Sequence, residues 1–244
     1  SGGSVSINAN GDRLAIGAYF NDGNGASSGH VRIYDWNGTA WTQLGADIDG
    51  EATGDKSGYS VSINANGDRV AIGAYGNDGN GASSGHVRIY QWNGTTWTQI
   101  GQDIDGEASD LSGGSVSMNA AGDRLAIGAE YNNGNGSNAG HVRIYDWNGT
   151  AWTQLGADID GEAASDQSGY SVSMNAAGDR LAIGARNNDG NVTNAGHVRI
   201  YDWNGTAWTQ SGADIDGEAA SDESGYSVSM NATGDRLAIG ARTN

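Results

Sequence analysis

One eight-residue phrase, Gly-Asp-Arg followed by Leu or Val and then Ala-Ile-Gly-Ala, begins at Gly11, Gly67, Gly122, Gly178 and Gly234 of this 244-residue chain, at intervals of 56, 55, 56 and 56 residues. A second phrase, His-Val-Arg-Ile-Tyr leading into a Trp-Asn-Gly-Thr turn and a second Trp, begins at His30, His86, His141 and His197. A unit copied at this period is one supersecondary element that buries its apolar faces by stacking on its neighbours. The chain therefore divides into repeats near 1–56, 57–111, 112–167 and 168–223, with half a repeat over 224–244. Four units and a half read as an excerpt of a longer array.

Each repeat predicts four short strands, because its apolar runs are short, rich in β-branched and aromatic residues, and bounded by Gly, Asn and Asp. In the first copy these fall at 4–8, 13–18, 30–36 and 41–44. No window carries a 3.6-residue period, so no helix is expected. Asn10-Gly11 and Asn37-Gly38 are the expected hairpin turns, since both residue types tolerate positive φ. A two-residue turn at Asn37-Gly38 would set Tyr34 opposite Trp41, with Trp36 diagonal to it. Val31 and Ile33 then lie on the other face, so the sheet is apolar on both sides. A radial stack of four-stranded antiparallel sheets covers both sides, and the fold expected is an all-β propeller of four full blades and a half blade. The eight Trp residues are expected to pack between blades.

Composition removes several functions. The formal net charge of −17, with Lys56 the only lysine, argues against nucleic acid and against an anionic membrane surface. No apolar run approaches the ~20 residues of a bilayer-spanning helix, so membrane insertion is not expected. The absence of Cys removes disulfides, thiol catalysis and Cys-ligated metal.

Gly58-Tyr59-Ser60-Val61, the Leu/Val-Ala-Ile-Gly-Ala phrase and Gly29-His30-Val31-Arg32-Ile33-Tyr34-Asp35-Trp36 together resemble the FG-GAP repeat of integrin α-subunit propellers and of repeat arrays in secreted bacterial proteins. In this chain Ser57 replaces the motif Phe, and Tyr19, Tyr75, Glu130, Arg186 and Arg242 replace the motif Pro. The family's calcium loop between strands one and two is absent, since only Asn8-Ala9-Asn10-Gly11-Asp12 connects them, and that site is not carried over. The resemblance implies an extracellular or cell-surface module with adhesive, binding or structural roles, and no enzyme activity.

Loops two-to-three and four-to-one share one rim, which is long, acidic and variable between copies. Tyr19, Asp22, Tyr75, Asp78 and Asp189 are the candidate ligand residues there. The run Asp-Ile-Asp-Gly-Glu recurs, placing Asp47, Asp49 and Glu51 near Asp55, with Asp103, Asp105, Asp158, Asp160, Asp214 and Asp216 in later copies. Such carboxylates beside a Gly suit calcium; the alternative is a solvated acidic loop whose Asp side chains close local turns. No cofactor other than calcium is indicated. Asp47 and Asp49 also resemble a glycosidase pair in spacing, but they recur in every repeat, whereas an active site needs one asymmetric pocket with a single acid of raised pKa. The four His residues stand in identical contexts and read as a repeated hydrogen-bond network.

The reading is a non-catalytic, secreted or cell-surface propeller, structural or adhesive, that self-associates into a ring or filament, head to tail or by strand addition at the half blade. Protein or glycan ligands fit the long-loop rim. The alternative is a carbohydrate-binding propeller with one site per blade.

Overall fold

The computed structural model describes residues 2–243 and contains no helix among them. Four five-stranded antiparallel sheets follow one another along the chain, and a two-stranded sheet closes the series. The first sheet comprises Ser4–Ile7, Arg13–Gly17, His30–Trp36, Trp41–Gln43 and Ile48–Asp49. Its order is sequential, and the last two strands both pair with His30–Trp36. Each blade is thus four strands wide, with an outermost strand broken by the Leu44–Asp47 segment. Sequence reading missed the fifth piece because Ile48–Asp49 is only two residues long. The closing sheet pairs Ser227–Met230 with Leu237–Gly240.

One register differs from expectation. Trp36 pairs directly with Trp41 and Tyr34 with Gln43, so the connection is four residues long. The Asn37 side-chain oxygen, which accepts the Thr39 and Ala40 amides at 3.0 Å each, stabilises this wider turn. The two indoles meet with ring centroids 5.6 Å apart. The turn between the first two strands is likewise organised by an Asn side chain, Asn8, whose oxygen accepts the Asp12 and Arg13 amides at 3.0 and 2.9 Å.

The core lies at the joints between blades. Ala15, Val31, Ile33 and Ile48 of the first blade pack on Val61, Ile63, Val70 and Ile72 of the second, and the same set recurs at the next two joints. Val31 and Ile33 point forward, while Tyr90 and Trp97 point back to the preceding blade. The first strands of consecutive blades lie side by side. They are laced by Ile63 N–H to Ser6 Oγ at 3.0 Å, Met118 N–H to Ser62 Oγ at 3.0 Å and their later counterparts. At each joint the Gly of Ala-Ile-Gly-Ala faces the backbone of the next blade: a Cβ on Gly17 would collide with the Gly58 carbonyl, and one on Gly128 with that of Gly169. Close approach, more than turn geometry, explains why these two motif glycines accompany each other.

Candidate functional site at the inner rim

Where the first strands begin and the second strands end, the repeats stop being alike. The second strands lead into Tyr19, Tyr75, Glu130, Arg186 and Arg242, and the first strands are preceded by Gly3, Tyr59, Gly114, Tyr170 and Tyr226. Because neighbouring first strands touch, these residues are gathered at the inner end of the long-loop rim. Tyr59 lies between Tyr19 and Tyr75, with ring centroids 5.2 and 4.0 Å away. Tyr170 and Tyr226 are 5.0 Å apart. The Arg186 guanidinium lies 3.8 Å from the Tyr170 ring centre and donates through Nε to Gln167 at 2.8 Å. Lys56 donates to the Tyr75 hydroxyl at 2.8 Å. The tyrosines and Arg186 are all half-buried, so part of each side chain is exposed at the rim.

Glu130 is the one carboxylate in this set. Its neighbour in the same blade is Gly114 rather than Tyr, and a Cβ there would stand 4.0 Å from a Glu130 carboxylate oxygen. Burial pushes the Glu130 carboxyl up to about 7, against the opposing pull of the Arg186 charge. Burial also lifts the Tyr59 hydroxyl to about 12, with Glu130, Tyr75, Tyr19 and Tyr226 adding to the shift. The inner rim therefore carries a single carboxyl poised near neutrality, set among aromatic rings and the guanidinium groups of Arg186 and Arg242. Such a group can give or take a proton at neutral pH.

Of the ligand residues expected from sequence, Tyr19 and Tyr75 join this cluster. Asp22, Asp78 and Asp189 each close their own loop by accepting the amides of Ser27, Ser83 and Asn194 at 2.7, 2.6 and 2.6 Å. Glu130 was visible in the sequence only as a departure at the motif Pro position. Its distinguishing signal was that it differed in charge from all four counterparts.

The acidic run is split by the structure. Asp55 is buried and accepts the Glu51 and Ala52 amides at 3.1 and 2.8 Å, so it closes the loop. Asp47 takes the Arg32 guanidinium at 2.9–3.0 Å and Gln43 Nε2 at 2.6 Å, and the Arg32 contact holds its carboxyl below the usual carboxylate range. Asp158 meets Arg143 and Gln154 in the same way. Asp103 and Asp214 accept from Gln99 and Gln210. Asp49, Asp105, Asp160 and Asp216 sit opposite His30, His86, His141 and His197 in the ladder. Groups able to converge on one ion are His30 with Asp47 and Asp49, His86 with Glu51 and Asp103, His141 with Asp158 and Asp160, and His197 with Glu162 and Asp214.

Residues 46–90 match the family model of the FG-GAP repeat. That stretch runs from the end of one blade into the third strand of the next, and the repeat resemblance read from the sequence holds. No curated protein sequence matches the chain. Solved structures share the fold at low identity. A periplasmic gluconolactonase from Pseudomonas aeruginosa aligns with a TM-score of 0.66 at 14% identity, covering 97% of this chain and 64% of that one. Hydrazine synthase of Kuenenia stuttgartiensis gives 0.61 at 13%, covering 98% and 61%. A candidate 6-phosphogluconolactonase from Bacteroides uniformis gives 0.60 at 13%, covering 88% and 55%. The chain thus spans 55% to 64% of the length of these three proteins.

These likenesses correct one expectation. The sequence reading excluded enzyme activity, yet propellers of this fold include proteins named as gluconolactonases, so the exclusion is withdrawn. Its chemical premise is weakened as well, because Glu130, which has no counterpart in the other repeats, is an acid whose pKa burial raises to about 7.

Proposed function

We propose that the inner rim binds a carbohydrate or sugar acid, with Tyr19, Tyr59 and Tyr75 offering ring faces, Arg186 pairing with a carboxylate or hydroxyl, and Glu130 exchanging a proton with the ligand. The observation that carries this reading is the gathering of half-buried tyrosines around one carboxyl with a pKa of about 7. Aromatic bodies with polar tips suit ligands that are apolar on one face and hydroxylated at the edge. The gluconolactonase names among proteins of the same fold lend support. Calorimetric titration with gluconate, glucono-lactone and neutral oligosaccharides, together with lactone hydrolysis assays, tests it. Binding of one of these ligands that is lost in Tyr59→Ala, with proton uptake or release absent in Glu130→Gln, supports the reading. Binding unchanged in both variants overturns it.

A second reading, self-association, is favoured by the first blade's outer flank. Val5 and Ile7 are 63% and 54% exposed, whereas their counterparts Val61 and Ile63 are 9% and 7% exposed against the preceding blade. A concavity of about 510 Å³ on the same flank is lined by Tyr19, Phe20, His30 and Arg32 among others. The occupant proposed is the free face of the closing sheet of a second copy, where Ala238 is exposed, because its counterparts Ala15, Ala71 and Ala126 pack on the following blade at the internal joints. Association of this kind would serve the structural, adhesive and extracellular role expected from the repeat. Sedimentation of the chain and of Val5→Asp/Ile7→Asp checks it: concentration-dependent growth abolished by the double change is expected, and a monomer at all concentrations refutes it.

A further inference from the structure

The imidazole of His197 is only 1% exposed, and neither ring nitrogen has a hydrogen-bond partner. A buried ring with two idle nitrogens is unusual, since buried polar atoms are nearly always satisfied. Nδ1 is aimed at two carboxylates: Asp214 Oδ2 at 3.7 Å, from the same blade, and Glu162 Oε2 at 3.9 Å, from the preceding blade. These separations are too long for hydrogen bonds. They are close to the spacing of donors that share one ion, because bonds of about 2.0–2.2 Å in tetrahedral array set ligand atoms roughly 3.5 Å apart. Two joints earlier the same three residue types recur: His86 Nδ1 lies 3.8 Å from Asp103 Oδ2, Glu51 completes the set, and His86 Nε2 has no partner.

From this geometry we infer that the joints between the first and second blades and between the third and fourth each bind a divalent transition-metal ion, of which zinc is the type, through Glu51, His86 and Asp103 and through Glu162, His197 and Asp214. The donor set selects the metal. One imidazole nitrogen and two carboxylates suit zinc or cobalt, whereas calcium prefers six to eight oxygens. Three protein ligands leave a fourth position for water. Arginine supports the carboxylate from behind: Arg199 Nη1 lies 3.5 Å from Glu162 Oε1 while Oε2 faces the ring, and Arg88 Nη1 stands 3.3 Å from Glu51 Oε1. At the intervening joint Arg143 takes both Glu107 and Asp158, at 2.6 and 2.8 Å. Arg143 thereby engages the carboxylate from the preceding blade, so the Glu–His–Asp set that spans a joint occurs twice, while the groups at His30 and His141 draw both carboxylates from their own blade.

Titration of the chelator-stripped chain with Zn²⁺ by calorimetry, and with Co²⁺ by visible absorption, tests the inference. Two equivalents are expected to bind, with a rise in Tm and the absorption of low-coordinate Co²⁺. The changes Glu51→Gln and Glu162→Gln act on side chains 48% and 44% exposed, so folding is not threatened. Each should weaken one equivalent at least tenfold and leave the other, and His197→Asn should remove the same equivalent as Glu162→Gln. Failure to bind Zn²⁺, or two equivalents unaffected by both Glu changes, overturns the proposal. So does loss confined to the His variant, because the joint carboxylate would then have no part in the site.

Discussion

Trp97 donates its indole N–H to the backbone carbonyl of Leu44, one blade back, at 3.0 Å. Trp152 and Trp208 do the same to Ile100 and Leu155 at 3.2 Å each. The break in each repeat's outer strand is thereby tied to the following repeat, which couples the stability of a blade to that of its joint.

Trp152 is 2% exposed and packs in the second joint, whereas Trp41 is 40% exposed. Trp152→Ala is expected to cost about 3–5 kcal/mol, the range for emptying a buried aromatic site. Trp41→Ala should cost about 1 kcal/mol or less. Urea unfolding followed by circular dichroism measures both, and equal losses would refute the assignment of the tryptophans to the joints.

A Cβ on Gly128 would strike the Gly169 carbonyl across a joint, while one on Gly240 meets only the Ser227 in its own sheet. Gly128→Ala should therefore destabilise by about 1–3 kcal/mol, as overpacking does, and more than Gly240→Ala. The comparison needs only the two midpoints of unfolding.

Glu130 is held protonated up to about pH 7 by burial. Its folded pKa lies above its unfolded value, so its contribution is full below about pH 4.5 and is lost as pH rises through 7. Glu130→Gln should be close to wild type in stability at pH 4.5 and more stable above pH 7, by on the order of 1–3 kcal/mol. Parallel melts across that window decide it, and a pH-independent difference would contradict the burial of the carboxyl.

The Arg180 guanidinium, with Nε 2.6 Å from Asp202 Oδ1, holds the Asp202 carboxyl below its ordinary 3.8. A depressed folded pKa stabilises above the unfolded value and is lost as pH falls through the folded one. Asp202→Asn should be less stable than wild type at neutral pH, with the gap closing below about pH 4. A gap that persists at pH 2 would mean that packing, not charge, is responsible.

Much of the fold was legible because repetition multiplies weak signals. Five copies of Ala-Ile-Gly-Ala fixed the second strand and the blade period where one copy would have been ambiguous. The hairpin at Asn37 was misread because Asn-Gly fits two turn lengths. The choice depended on whether the Asn37 side chain bonds to the backbone of Thr39 and Ala40, which sequence does not reveal. Asp55, expected among the calcium carboxylates, is buried and accepts the Glu51 and Ala52 amides, a loop-closing contact that spacing alone does not reveal. Glu130 was overlooked because reasoning from repeats favours what recurs, and its importance lies in not recurring. The identical contexts of the four histidines predict a repeated hydrogen-bond network, whereas in the structure neither ring nitrogen of His197 has a hydrogen-bond partner.

The residue after each Ala-Ile-Gly-Ala reads Tyr19, Tyr75, Glu130, Arg186, Arg242 along the inner rim, and the apolar cores of the joints beneath are built from equivalent positions. Blade order is thus a spelling: exchanging two repeats would keep the apolar core positions of the joints yet write a different word along the proposed ligand rim. Duplication and shuffling of whole units could change what such a chain recognises without a single mutation in its core.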